Sequence, residues 1–306
     1  MDTSPKKVVI TGGAGFIGSH IVRVLHNRGI SVTVFDSLVS GSKENLPEGV
    51  SLIVDDIRNP EALANAFKDA THVVHLAALI SVPESVKNPQ ATHDVNIIGT
   101  KNVLDAAAQA GVQRFVYASS AAVYGNDPAL PKKEDMQTSP TSPYAESKVQ
   151  NEIDASHFSA TTGIPSVGLR FFNIYGPGQL GNHAYASVIP RWIEAVENGE
   201  QIQVFGDGEQ TRDFVHVEDV AAALHTALVT PIEGAHIYNV ASGKQITLRE
   251  LRDHIATTCN CSIDWIQYPE REGDIRHSVA DVHAIEDELN FEPKIDLQEG
   301  LKTLIS

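Results

Sequence analysis

A phenol, an amine and a hydroxyl are together enough to move a proton at an alcohol, and this chain carries such a set. In Tyr144-Ala145-Glu146-Ser147-Lys148 the Tyr and the Lys stand four apart, which puts them on one face if the segment is helical. A tyrosine acting as a base near pH 7 must lose about three pKa units from its reference near 10, about 4 kcal/mol of bias towards phenolate. A neighbouring ammonium supplies part of that bias in a partly dry cleft, which is the role open to Lys148. Ser119 and Ser120 directly follow the apolar run Phe115–Ala118, and a hydroxyl at the end of such a strand can hold the oxygen that loses its proton.

A second chemical feature lies near the start. Thr11-Gly12-Gly13-Ala14-Gly15-Phe16-Ile17-Gly18 contains Gly12, Gly15 and Gly18 in a G-x-x-G-x-x-G pattern between an apolar run and a helix-like segment. That variant of the dinucleotide fingerprint meets three demands: a tight turn, a side-chain-free approach to pyrophosphate, and close packing of helix on strand. The backbone N–H groups around Phe16 and Ile17 and the positive end of the helix then face the phosphates. Asp36 closes the next apolar run, 18 residues beyond Gly18. A carboxylate there accepts hydrogen bonds from an adenosine ribose and repels a 2′-phosphate, which favours NAD over NADP. Asp56-Ile57-Arg58, after the third run, is read both as a carboxylate near the adenine and as an ordinary solvated turn.

The elements that position these groups alternate. Val8–Thr11, Val32–Phe35, Leu52–Val54, His72–Leu76 and Phe115–Ala118 read as strands buried on both faces. Helix-like spacing falls between them, at Phe16–Arg28, Asn59–Asp69 and roughly Ala91–Gln109. Strand and helix in repetition predict an α/β fold with a Rossmann-type doubly wound parallel sheet. Residues 1–175 form the expected dinucleotide-binding domain, and 176–306 a smaller α+β lobe with helices near Val188–Asn198 and Leu248–Thr257. Segments near 214–241 are expected to return to the larger domain.

Composition narrows the partners. The 306 residues carry a formal net charge of −16, which repels nucleic-acid backbones and anionic lipid. No apolar run approaches the ~18 residues of a membrane span, and Met1–Lys7 lacks the apolar core of a signal peptide, so a cytoplasmic location is expected. The two cysteines, Cys259 and Cys261, are read as free thiols, incidental rather than redox-active, with a spacing tight for a bridge. Thirteen histidines show no metal-binding spacing, since His72 and His75 on a strand face opposite ways, and no metal is expected.

Taken with His75-Leu76-Ala77-Ala78, Ser119–Gly125 and Arg170-Phe171-Phe172-Asn173-Ile174-Tyr175-Gly176-Pro177, these motifs give a sequence that resembles the extended short-chain dehydrogenase/reductases. Within these it is similar to the nucleotide-sugar epimerase/dehydratase family, UDP-hexose 4-epimerases above all, from Val8 to about Asp281. The resemblance implies C4 epimerisation of a UDP-sugar with NAD as resident cofactor. Tyr144 would be the base, Lys148 would tune it and hold the nicotinamide ribose, and Ser120 would hold the sugar hydroxyl. Leu76, Ala77, Ala78, Asn96 and Ser119 would lie along the cofactor. Asn173, Arg212 and Arg271 would meet the diphosphate side of the substrate, Val188, Gln203, Val204 and Phe205 the base, and Asp274 would also bind the substrate. A homodimer paired through the helices around Ala91–Gln109 and Tyr144–Thr161 is implied by the same analogy.

Two departures bear on the subfamily. Sugar 4,6-dehydratases carry Asp and Glu after the hydroxyl residue, where this chain has Ala121 and Ala122, which transfer no protons; this also disfavours the decarboxylases that keep a Glu there. Ser278 stands where some epimerases carry a bulky Tyr, leaving room for N-acetylhexosamines beside glucose and galactose. Two rivals stay open from the sequence: a nucleotide-sugar reductase or dehydrogenase with net redox, and a non-catalytic NAD-binding sensor.

Overall fold

The computed structural model describes residues 4–179, 187–270 and 275–305. In chain order the first half runs β1 (Lys7–Thr11), α1 (Phe16–Asn27), β2 (Ser31–Asp36), β3 (Ser51–Val54), α2 (Pro60–Ala66), β4 (His72–His75), α3 (Val82–Lys87), α4 (Pro89–Thr92), α5 (Thr100–Ala110), β5 (Arg114–Ser120), α6 (Pro143–Thr162) and β6 (Ser166–Phe171). The second half adds β7 (Asn173–Tyr175), α7 (Val188–Glu197), β8 (Ile202–Phe205), β9 (Thr211–Arg212), β10 (Phe214–His216), α8 (Val217–Val229), β11 (Ala235–Val240), β12 (Ile246–Thr247), α9 (Leu248–Cys259), β13 (Trp265–Tyr268), α10 (His283–Leu289) and α11 (Leu297–Lys302).

Seven strands make one sheet in the order β3-β2-β1-β4-β5-β6-β11. The ladders from β3 through β5 are parallel, with Val8 opposite both Val32 and His72, and Thr11 opposite both Phe35 and His75. Val8, Val9 and Ile10 are fully buried, as are Val73 and Val74, which is why these strands read as unbroken apolar runs. The strand order reverses between β1 and β4. There the chain leaves neighbouring strand ends towards opposite faces, and a crevice opens at the carboxyl edge.

Packing divides the chain into two units. The first comprises residues up to Gly125, Gln137–Arg170 and Ala221–Tyr238, and the second Asn126–Met136, Phe171–Val220 and Asn239 onwards. The chain thus crosses between the units more than once: Asn126–Met136 packs with the second unit, and Ala221–Tyr238 with the first. In the first unit, Arg114 donates to the carbonyls of Ala227, Thr230 and Ile232 at 3.1–3.3 Å, a cation meeting the exposed end of α8. The second unit has a core of its own around Ile189, Trp192, Ile202, Leu251 and Leu301.

The helix expected at Ala91–Gln109 begins earlier, at Pro89, and its middle, His93–Gly99, is a π-helical turn. The Asn96 carbonyl at its centre accepts from the Thr100 hydroxyl at 2.6 Å and the Asn151 amide at 2.7 Å. Side-chain donors thus satisfy a carbonyl that a regular helical ladder would use. The strand expected to reach Leu76 ends at His75, although Leu76 N–H still makes the next ladder bond, to the Thr11 carbonyl at 3.0 Å.

His75 ties the strand ends together. Its Nδ1 is 2.7 Å from Thr11 Oγ1 and its Nε2 is 2.9 Å from Thr100 Oγ1. Burial first, and the Lys148 ammonium second, press its pKa down to about 3. The unfolded chain takes up that proton below about 6.5, so stability falls as pH drops from 6.5 towards 3, by ~1.4 kcal/mol per unit. Urea unfolding at pH 7.5 and pH 5 should therefore show a loss of ~2 kcal/mol from this group, and His75→Gln should flatten that part of the pH dependence.

Candidate active site

Both sets of residues singled out from the sequence lie at the carboxyl edge of the sheet in the first unit. After β1 the backbone turns at Gly12 with φ of +72°. A Cβ on Gly12 would fall 2.6 Å from the Ala77 nitrogen, and one on Gly18 would overlap the Gly12 carbonyl oxygen. The glycines therefore set how closely α1 and the Leu76-Ala77-Ala78 segment approach β1. Gly15 is the N-cap of α1, and no side chain caps it, so the N–H groups of the first turn, at Phe16 and Ile17, are left for an anion. Asp36 Oδ2 accepts from Ala14 N–H at 2.9 Å and Oδ1 from Leu38 N–H at 2.8 Å. These bonds fix the carboxylate beside the glycine turn and leave it lone pairs for hydroxyl donors.

That cradle fits a dinucleotide with an unphosphorylated ribose: there is no room for side chains where the pyrophosphate would pass, and a carboxylate stands where a 2′-phosphate would sit. Several neighbours expected along the cofactor have work within the protein. Asn96 is fully buried; its amide donates to the Leu79 carbonyl at 2.9 Å and Ser147 Oγ at 3.0 Å, and its Oδ1 accepts from Leu79 N–H at 2.8 Å. It shapes the segment after Ala78. Ile57 is a core residue packed against Gly99. Asp56 is held in a two-point pair by Arg58, at 2.9 and 2.7 Å, which keeps its carboxyl below the usual range, so of its two sequence readings the solvated turn accounts for what it contacts.

α6 carries Tyr144 and Lys148, the groups expected to manage the proton. Ser142 caps it through Ala145 N–H at 3.2 Å, with Pro143 in the first turn. Tyr144 and Lys148 follow on successive turns of the same face. The Tyr144 hydroxyl is hydrogen-bonded to the Ser120 side chain, and Ser120 also caps the turn after β5 through Ala122 N–H at 3.2 Å. The Lys148 ammonium, 5.8 Å from the Tyr144 ring centre, donates to the Ala118 carbonyl at 3.0 Å. Burial holds the Tyr144 phenol above its ordinary value, offset in part by Ser120. The same burial lowers Lys148 to about 8, against the pull of Glu152, so the amine is still mostly charged at neutral pH.

Glu152 escaped the sequence reading, although it stands one further turn along the Tyr144–Lys148 face. It is buried in an ion pair with Arg170, at 2.9 and 2.8 Å. Ser119 Oγ donates to the same carboxylate at 2.5 Å, so this hydroxyl is committed to Glu152. Arg170 also reaches the Tyr124 hydroxyl at 2.9 Å. The signal that could have found this network is the third polar residue at helical spacing, in a chain with an Arg on the neighbouring strand.

The remaining candidates belong to the second unit and are described within it. Asn173 opens β7, its N–H donating to the Asp213 carbonyl at 3.0 Å. Arg212 donates to the Thr211 carbonyl at 2.8 Å, and Ser278 N–H binds that same carbonyl at 3.2 Å, which brings Arg212 and Ser278 to one place. Val188 begins α7 against the core, and Val204 is buried in it. The Gln203 carbonyl accepts from the Trp192 indole at 3.2 Å, and Phe205 stacks on Tyr268 at 5.3 Å. Arg271 and Asp274 lie outside the described residues. Among the described residues no group of three or more His, Cys, Asp or Glu could hold a metal ion, and no helix is long and apolar enough to cross a membrane.

The order of strands, the glycine cradle at the reversal and the Tyr-Lys-Ser set define a Rossmann-type enzyme of the short-chain dehydrogenase/reductase kind. The sequence profile of the NAD dependent epimerase/dehydratase family matches residues 8–241, and the chain belongs to that family. Among solved structures, the UDP-N-acetylglucosamine 4-epimerase of Methanobrevibacter ruminantium M1, in complex with UDP-N-acetylmuramic acid, is 39% identical, with 98% and 97% of the two chains covered and a TM-score of 0.94. The Thermus thermophilus UDP-glucose 4-epimerase, a complex with NAD, is 38% identical, with 97% of each chain covered and a TM-score of 0.90. The UDP-glucose 4-epimerase of Mycolicibacterium smegmatis is 36% identical over 303 residues, 96% of each chain.

Removing one partner of a buried ion pair leaves the other charge uncompensated. Glu152→Gln strands Arg170 and should reduce stability by ~3–5 kcal/mol, read as a shift of the urea unfolding midpoint at pH 7.5. A loss below ~1 kcal/mol would show that water or another acceptor reaches Arg170.

Proposed function

We propose that this chain is an NAD-dependent UDP-sugar 4-epimerase, interconverting hexoses that differ at C4, such as UDP-glucose and UDP-galactose. The carrying observation is that one phenol, hydrogen-bonded to Ser120 and set one turn from the Lys148 ammonium, forms the proton-transfer set, while Ala121 and Ala122 leave no acid or base for eliminating water.

NAD, when bound in the glycine cradle, would accept hydride from C4 and return it to the other face of the sugar. The chain's own contribution is proton control and grip. Tyr144 takes the proton from the C4 hydroxyl as the alcohol is oxidised and gives it back when the carbonyl is reduced. Ser120, already bonded to the phenol oxygen, holds the same sugar oxygen in line. Lys148 contributes a positive charge that favours phenolate, opposing the burial that otherwise keeps Tyr144 protonated. Lys148 would also hold the nicotinamide ribose, and Asp36 the adenosine ribose. Both faces of C4 must be presented in turn, so the nucleotide must be anchored and the sugar left free to swing. Asn173, Arg212 and Arg271 serve the diphosphate, guanidinium groups being suited to two-point contacts with it, and Asp274 belongs to the substrate-binding set. Val188 and Gln203–Phe205 serve the base, and Ser278 leaves room for a 2-acetamido group.

The enzyme acts in the cytoplasm, in keeping with its two free thiols, and as a homodimer. Ile98 beside α5 and Ile153 on α6 are large apolar side chains left 42% and 55% exposed, on the two helical segments the resemblance assigns to pairing. Light scattering should give the mass of two chains, and Ile98→Glu with Ile153→Glu should shift it to one.

Incubation with UDP-glucose, UDP-galactose and their N-acetyl forms, followed by NMR, should yield the C4 epimer without net formation of NADH. Steady accumulation of NADH, or no epimer from any of the four, overturns the assignment. Tyr144→Phe should lower kcat by ~10²–10⁴-fold while NAD stays bound.

A further inference from the structure

Cys259 and Cys261 are the only two cysteines of the chain, and both are free. α9 ends at Cys259, and Asn260 closes it in the left-handed conformation, φ 50° and ψ 44°. The distance between Cα atoms two residues apart depends only on φ and ψ of the residue between them. A helical residue of either hand sets it at ~5.4 Å, close to the ~5.5 Å that disulfides prefer. The Asn260 turn therefore draws the two Cα atoms in from the ~7 Å of an extended chain to a separation that a bridge accepts. Cys261 N–H to the Ala256 carbonyl at 3.1 Å and Asn260 N–H to the Thr257 carbonyl at 3.3 Å hold that turn.

The two side chains are near enough for Cys261 to act on the Cys259 thiol, and the two sulfurs have different surroundings. Cys259 is partly buried against the second unit's core. Cys261 is exposed, on the rim of a shallow depression of about 430 Å³ shared with Thr257, Asn260 and Ser262. An accessible sulfur beside a sheltered one is the arrangement of an attacking and a resolving thiol.

We propose that Cys259 and Cys261 form a dithiol site that reduces a low-molecular-weight disulfide and closes to an intramolecular disulfide. Cys261 gives its proton to solvent, and its thiolate attacks one sulfur of the small disulfide. That S–S bond breaks, a mixed disulfide forms on Cys261, and the first small thiol leaves, taking up a proton. Cys259 then loses its proton and attacks Cys261 Sγ, forming the Cys259–Cys261 bond and expelling the second small thiol. Two protein thiols are oxidised by two electrons, and one disulfide is reduced to two thiols. Burial, with Cys261 and Glu197 adding to it, pushes the Cys259 thiol up, which supports Cys261 as the point of entry.

No other cysteine competes, so the full-length protein can be tested directly. It is incubated with oxidised glutathione and its intact mass is followed without reductant. The wild type should lose about 2 Da and carry no lasting adduct, because the second step is intramolecular. Cys259→Ser should accumulate one glutathione on Cys261, a gain of about 305 Da, and Cys261→Ser should react at least ~10-fold more slowly than Cys259→Ser. A wild type that keeps the adduct, stays unmodified, or is recovered as a disulfide-linked dimer overturns the proposal.

Discussion

The structure turns on keeping an ammonium and a phenol together out of water. A buried amine tends to lose its proton and a buried phenol to keep one, the opposite of what the proposed proton abstraction by Tyr144 requires. The lowering of Lys148 and the raising of Tyr144 are the two halves of that conflict. Glu152 moderates it by adding negative charge one turn beyond Lys148. That carboxylate is in turn neutralised by Arg170 and capped by Ser119, so the amine is supported without itself being consumed in a tight pair. Two cations and one anion leave the pocket positive, which suits a phenolate.

The same helix carries all three groups, and this makes α6 the element whose placement matters most. Its start is fixed from within by Ser142 and Pro143 and from outside by Ser85, whose hydroxyl accepts Tyr144 N–H at 3.2 Å. The π turn at His93–Gly99 serves this end too. It presents Asn96 to Leu79 on one side and Ser147 on the other, and its carbonyl to Asn151. The loop after β4 and the base-bearing helix are thereby held by a single buried amide. His75, neutral through the physiological range, joins β1, β4 and α5 by hydroxyl contacts that need no charge.

Much of this was legible in the residues. The apolar runs marked the strands because a parallel sheet covered on both faces has no reason to alternate. The glycine pattern located the cradle because Gly12 and Gly18 sit where a Cβ would strike backbone. Tyr144, Lys148 and Ser120 were legible because spacing of four on a helix and a position at a strand end are local properties. What stayed hidden was set by contacts distant in sequence. The assignment of Asn126–Met136 to the second unit, the commitment of Ser119 to Glu152 and the internal work of Asn96 each depend on partners at least 17 residues away, in other elements.

Neighbouring residues alone carry the strand and helix rhythm, the glycine turn before the first helix, the carboxylate that favours an unphosphorylated ribose and the proposed proton-transfer set, because propensity, periodicity and chemical type are local. The folded arrangement was needed to fix the protonation each group favours, which partner each hydroxyl takes, and how Asn260 spaces the two cysteines. Those depend on burial and on the direction of side chains, and neither exists until the chain has closed on itself.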